Sequence, residues 1–136
     1  MKKKMVLIVI NSVLAIAVLL AVSICEPFSL LSQKNVTGVT VTSLPEGYNY
    51  SFTGSDADAI VEYLSSIKLI FEFEDNPDEY VGMVWVVSIE YENGEAATVY
   101  HFGNRFIRVN NGPWYKMTFD EANRFESLLE QLGSLR

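Results

Sequence analysis

Val81-Gly82-Met83-Val84-Trp85-Val86-Val87-Ser88-Ile89-Glu90-Tyr91-Glu92-Asn93-Gly94 reads as a strand and the turn that ends it. Val81, Met83, Trp85, Val87, Ile89 and Tyr91 are apolar at every second position, opposite Gly82, Val84, Val86, Ser88 and Glu90. Side chains of an extended chain alternate between the two faces of a sheet, so this run predicts one long strand with one fully buried face. Asn93-Gly94 is the pair that a two-residue type I′ hairpin prefers, because both of its positions need positive φ. Such a turn sets Tyr91 against Ala96, Ile89 against Thr98, Val87 against Tyr100 and Trp85 against Phe102.

Downstream, Gly103-Asn104 turns the chain into Arg105–Val109, and Asn110-Asn111-Gly112 turns it again into Trp114–Met117. A two-residue turn there would aim Lys116 into the core. A three-residue turn with a glycine bulge aims Ile107, Tyr115 and Met117 inward instead, and the cost of burying an amine favours it. These strands make an antiparallel meander. Thr118-Phe119-Asp120-Glu121 is a capping box opening a last helix, whose Ala122, Phe125, Leu128, Leu129 and Leu132 form one apolar stripe before Gly133.

Upstream, Thr37–Thr42 and Tyr48–Phe52 alternate around Leu44-Pro45-Glu46-Gly47 and predict a first hairpin. Ser55 begins a helix with Asp58 three residues on, a variant of the capping box, and Ile60, Val61, Leu64 and Ile67 supply its core stripe. Leu69–Glu74 alternates again, with Phe71 and Phe73 on one side. Two amphipathic helices and a sheet with one apolar face predict an α+β fold, a two-layer sandwich with both helices on one face of the meander.

Met5–Ile24 is a run of twenty residues in which only Asn11 and Ser12 are clearly polar, preceded by Lys2, Lys3 and Lys4. A helix needs about 20 apolar residues to cross the hydrocarbon core, and flanking lysines stay on the cytoplasmic side. The run therefore predicts an N-terminal transmembrane or signal helix at the cell membrane, with the N-terminus cytoplasmic and the chain after Cys25 extracytoplasmic. Three forms stay open. The helix is retained; or it is a signal cleaved near Ala21 and Ser23; or Cys25 is lipidated, since Val22-Ser23-Ile24-Cys25 resembles a bacterial lipobox, with Ile24 where that pattern wants a small residue. Organisation follows as a membrane segment 1–25, a tether 26–35 containing Pro27, Ser29 and Ser32, and an extracytoplasmic domain 36–136.

All seventeen acidic residues follow Cys25, with seven of the ten Lys and Arg, so the exported part carries a net charge of −10. That charge argues against nucleic acid and anionic membrane surfaces as partners of the domain, and solubility accounts for it. The single cysteine rules out an internal disulfide, and the single histidine, His101, rules out a multi-histidine zinc site. Glu72, Glu74, Asp75, Asp78 and Glu79 cluster as calcium ligands do, but Pro77 interrupts the spacing a calcium loop requires. No nucleophile elbow or phosphate-binding glycine loop occurs, and the paired acids Asp56/Asp58 and Asp120/Glu121 sit in first turns of helices, where the dipole favours them. The expectation is a non-enzymatic domain with no catalytic residue, no metal and no cofactor.

In the predicted register the sheet's second face gathers Val84, Val86, Val99, His101, Phe106, Arg108, Trp114 and Lys116. An open antiparallel face is normally polar, and an apolar one with Trp and Arg has the composition of a binding surface. Phe106, Arg108, Trp114 and His101 are therefore the candidate binding residues, for a protein or cell-envelope component. The competing expectation is a structural or sensory module that assembles through this face, as a homodimer.

Ser88-Ile89-Glu90-Tyr91-Glu92-Asn93-Gly94 and Asn111-Gly112-Pro113-Trp114-Tyr115-Lys116-Met117, followed by a helix, resemble small exported domains of unknown function in Gram-positive bacteria. The resemblance covers about the last 50 residues. It implies a membrane-anchored protein or lipoprotein and brings no catalytic residues with it.

Overall fold

A computed structural model of the chain describes residues 2–25, 28–70, 82–103 and 105–133. In chain order its elements are α1 (Lys2–Cys25), a 3₁₀ helix (Ser29–Ser32), β1 (Val36–Leu44), β2 (Asn49–Phe52), α2 (Gly54–Ser65), β3 (Leu69–Ile70), β4 (Val84–Tyr91), β5 (Ala96–Phe102), β6 (Phe106–Val109), β7 (Tyr115–Met117) and α3 (Phe119–Gln131). The strands form one seven-stranded antiparallel sheet in the order β2-β1-β4-β5-β6-β7-β3. The fold is α+β, with the expected meander from β4 to β7. The first hairpin joins the same sheet beside β4, and β3 closes the far edge against β7. Of the predicted strand 69–74 only Leu69–Ile70 is described; Phe71, Phe73 and the acidic cluster 72–79 lie outside the described residues.

One face of this sheet is the core. Val39, Val41, Trp85, Val87, Ile89, Ala97, Val99, Ile107 and Met117 all point to it and are buried. Ile60 and Leu64 of α2, together with Phe125 and Leu129 of α3, are fully buried against it, as the helical spacing predicted. Burying each such side chain contributes about 1.5–3 kcal/mol, and no disulfide supplements it. Phe125 sits at the centre, stacked on Tyr63 at 5.3 Å and on His101 at 4.7 Å, and edge-on to Trp85 at 6.2 Å.

The helix starts differ in detail. Thr118 caps α3 as expected, its hydroxyl accepting from the Glu121 amide at 3.2 Å. The Glu121 carboxylate does not reach back to complete the box; it accepts from Arg124 at 3.1 Å and 3.2 Å. α2 starts at Gly54, one residue earlier than the Ser55 start predicted, with Thr53 in the cap position and no side-chain cap bond.

The β4–β5 register departs from the expectation by one residue. Ile89 lies opposite Ala97, Val87 opposite Val99 and Trp85 opposite His101. The loop has three residues, Glu92-Asn93-Gly94: the Gly94 amide donates to the Tyr91 carbonyl at 2.9 Å and the Tyr91 amide to the Glu95 carbonyl at 3.0 Å. Only Gly94 takes positive φ, at 82°, whereas a type I′ turn needs it at Asn93 as well. This is a type I turn closed by a glycine bulge. Asn93 Oδ1 accepts from the Glu95 amide at 3.0 Å, a bond that suits Asn to the turn without a left-handed backbone. A slip of one residue exchanges every side chain between faces. Val99 and His101 therefore belong to the core, and Tyr100 and Phe102 to the second face. At the next turn Ile107, Tyr115 and Met117 point inward as expected, but Asn110, at φ 50°, supplies the left-handed residue and Gly112 does not.

The segment 26–35, read from composition as a tether, contributes to the core. Phe28 and Leu31 are 4% and 6% exposed. They stand three residues apart, the spacing that aligns side chains on a 3₁₀ helix. Phe28 packs edge-on to Tyr115 at 5.5 Å, and the Tyr91 hydroxyl donates to the Leu31 carbonyl at 3.0 Å. Only Glu26 and Pro27 thus separate α1 from the packed domain.

The N-terminal run is helical, and every residue from Lys3 to Val18 is exposed. Among the described residues, no helix is long and apolar enough to cross a membrane; the described side chains of α1 end at Val18.

Candidate functional site

The second face carries neither α2 nor α3. Its composition changes along the strands, and the register lays it out in rows. Thr40, Ser88 and Thr98 make a polar row. The next row runs Thr42, Val86, Tyr100 and Arg108, with Trp114 beyond. The last runs Leu44, Val84, Phe102, Phe106, Lys116 and Ile70. The aromatic half of the face therefore belongs to β5, β6 and the approach to β7.

Arg108 is the centre of that half. Its guanidinium lies over the Tyr100 ring at 4.6 Å and over the Trp114 ring at 4.6 Å, between the two. Each contact is worth about 0.5–2 kcal/mol, depending on how dry it is. A stacked guanidinium keeps its charge and is held in one plane, with its donors directed along the edge, where a carboxylate or phosphate can bind in two places at once. Its Nε is buried and has no hydrogen-bond partner among the described residues. Phe102 extends the cluster, 6.4 Å from Trp114 and 6.5 Å from Phe106. Arg105 lies over Phe119 at 4.5 Å, so a second arginine stacks on an aromatic ring at the end of the same meander.

Of the four candidate binding residues, Arg108 and Trp114 are together and half-buried on this face. Phe106 shares the face but is 2% exposed, and Lys116 beside it is 8% exposed, so that end of the row is covered. His101 is not on the face at all. It is 1% exposed on the opposite side of the sheet, against Phe125. The residue that takes its place is Tyr100, which the predicted register had turned inward.

His101 is a structural residue. The Tyr63 hydroxyl donates to the Glu121 carbonyl at 2.7 Å and lies 3.4 Å from His101 Nε2. Nδ1 is buried without a partner among the described residues. Burial pushes the His101 pKa down to about 4, the carbonyls of His101 and Gly103 offsetting part of the effect. Burial likewise raises Tyr63, with Glu121 adding to it and Arg124 opposing. Tyr63 borders a surface depression between α2 and α3, lined also by Glu62, Ser66 and Arg124.

Cys25 closes α1, and its side chain lies outside those described. Among the described residues no three His, Cys, Asp or Glu side chains come together to hold a metal. The chain matches no family model, no curated protein and no solved structure.

Proposed function

We propose that this is a membrane-tethered extracytoplasmic binding domain whose contact surface is the aromatic half of the second face, with Arg108 at its centre and Tyr100 and Trp114 on either side. The observation that carries the reading is the guanidinium held between two rings at 4.6 Å on a face bearing neither packed helix. An arginine preorganised in this way loses little freedom on binding, and Trp, Tyr and Arg dominate binding hot spots. In a domain of net charge −10, Arg108 brings positive charge to this half-buried part of the second face, which suits an acidic partner. The tether is the run Met5–Ile24 behind Lys2–Lys4, retained or replaced by lipid on Cys25. The likeness at 88–94 and 111–117 to exported Gram-positive domains accords with the same reading.

A photo-crosslinking residue placed at Val86, beside Tyr100, in the full-length protein in cells tests it. An adduct is expected from Val86 and not from Ser51 at the polar end of the sheet. Arg108→Ala is expected to reduce it about tenfold or more, and Arg108→Lys to restore little, because an ammonium does not stack as a guanidinium does. An adduct that survives Arg108→Ala undiminished contradicts the reading. An adduct of twice the chain's mass assigns the face to self-assembly.

A further inference from the structure

The core face is not evenly filled. At the end where β4 and β5 meet their turn, α2 and α3 no longer cover it, and the 3₁₀ helix at Ser29–Ser32 does so only in part. What remains is a groove of about 420 Å³, floored by Ala97, Val109 and Tyr115 of the sheet and walled by Phe28, Leu30 and Pro113, among others. Its size falls within the range of about 300–1,000 Å³ typical of ligand clefts. The groove has a local cause. Ala97 stands opposite Ile89 and next along β5 from Val99, so an alanine occupies a position where the neighbouring core residues are larger. Leu30, on the groove's wall, is 66% exposed although its neighbours Phe28 and Leu31 are buried.

We infer that this groove takes one acyl chain of a membrane lipid. The inference rests on the reading of α1 as a membrane tether, and three observations commit it to that occupant. Phe28, Leu30, Leu31, Ala97, Val109 and Pro113 give it an apolar floor and wall, as a hydrocarbon chain requires, while Gln33, Lys34 and Asn110 are its polar side chains. Part of the wall is the 3₁₀ helix that follows α1 after only Glu26, Pro27 and Phe28, so the groove belongs to the part of the domain closest in sequence to the bilayer. The polar lining side chains Gln33 and Lys34 follow directly on that helix, and Lys34 pairs with Glu95. A lipid whose chain lies in such a groove has an apolar wall for its tail and a polar stretch for its glycerol and headgroup. The outcome is a domain held against the bilayer, its second face left for a partner.

The test uses the full-length protein in zwitterionic phosphatidylcholine vesicles containing a phospholipid with a diazirine at the end of one acyl chain, with labelled peptides mapped after illumination. Labelling is expected in α1 and also within residues 91–97 and 109–115. Leu30→Asp puts a charge at the mouth, and as Leu30 is exposed the fold is retained; it is expected to lower the groove labelling about tenfold while leaving α1 labelled. Ala97→Phe fills the floor and is expected to do the same. Labelling of α1 with none in the groove, or groove labelling unchanged by both substitutions, overturns the inference and leaves the tether standing. Absence of label from α1 overturns the tether reading and this inference with it.

Discussion

Phe125→Ala is expected to destabilise the domain by about 4 kcal/mol, the largest effect of any single truncation proposed here. Phe125 is fully buried, and its ring meets Tyr63 from α2, Trp85 from β4 and His101 from β5, so one side chain joins both helices and the sheet. Truncation removes the transfer energy of the ring and leaves a cavity that three stiff aromatic neighbours cannot close. Because a domain of this size holds about 5–15 kcal/mol in all, the variant loses from about a quarter to about four fifths of its stability. Denaturant midpoints followed by tryptophan fluorescence, on the full-length protein in detergent, measure it. Phe125→Leu, which refills most of the space, is expected to recover more than half of the loss. A cost below about 1 kcal/mol for the alanine variant would mean that α3 does not pack as described.

The second large effect is on pH dependence. His101 is neutral in the folded protein, with its pKa lowered to about 4 by burial, whereas in the unfolded chain it titrates near the ordinary 6.5. Between those values the unfolded chain binds a proton that the folded one refuses, so stability falls as pH falls. The contribution is fully present above pH 6.5, and by about pH 4 roughly 3 kcal/mol has been lost. The charged and titratable groups nearest to it do not rescue the cation: Tyr63 is a neutral phenol engaged with the Glu121 carbonyl, and the Glu121 carboxylate is turned to Arg124. His101→Phe keeps a ring against Phe125 and removes the proton acceptor. Unfolding midpoints between pH 7 and 4 are expected to fall steeply for wild type and to flatten for the variant, beyond whatever slope the carboxylates contribute. Equal slopes in the two proteins would place His101 in contact with solvent.

That prediction would not have followed from the sequence, and the reason is local. Asn93-Gly94 fits two hairpins. As the two central residues of a type I′ turn it puts Thr98, Tyr100 and Phe102 in the core. With Gly94 closing a type I turn it puts Ala97, Val99 and His101 there. β5 is ambiguous between them, because Thr-Tyr-Phe and Ala-Val-His are both plausible inner sets, and the choice rests on whether Asn93 adopts positive φ. The long alternation of β4 is unambiguous, since its inner residues are large and apolar throughout, and so are the stripes of α2 and α3. Lys116 fixed the facing of β7 by the cost of its burial within the core layer. The 3₁₀ helix was hidden for a different reason. Phe28, Leu30 and Leu31 are only three apolar residues among serines, too few for a period, and the burial of Phe28 and Leu31 depends on Tyr91 and Tyr115 from distant strands. Arg108 and Trp114 were legible as a pair, because the turn at 110–112 sets Arg108 on β6 opposite Trp114 just before β7. Tyr100, the third member of the stack, was lost with the β5 register.

If the domain bearing an arginine stacked between two aromatic rings is held outside a membrane, as proposed, its topology is open to direct measurement. Intact cells making the full-length protein are treated with an impermeant amine-reactive reagent, the membrane fraction is isolated, and modified lysines are mapped by mass spectrometry. Lys34 and Lys68 are exposed, while Lys2, Lys3 and Lys4 precede the apolar run. The account predicts modification of Lys34 and Lys68 in membrane-associated protein, with Lys2–Lys4, where they are retained, modified only after lysis. Lys68 protected in intact cells and modified only after lysis would contradict it.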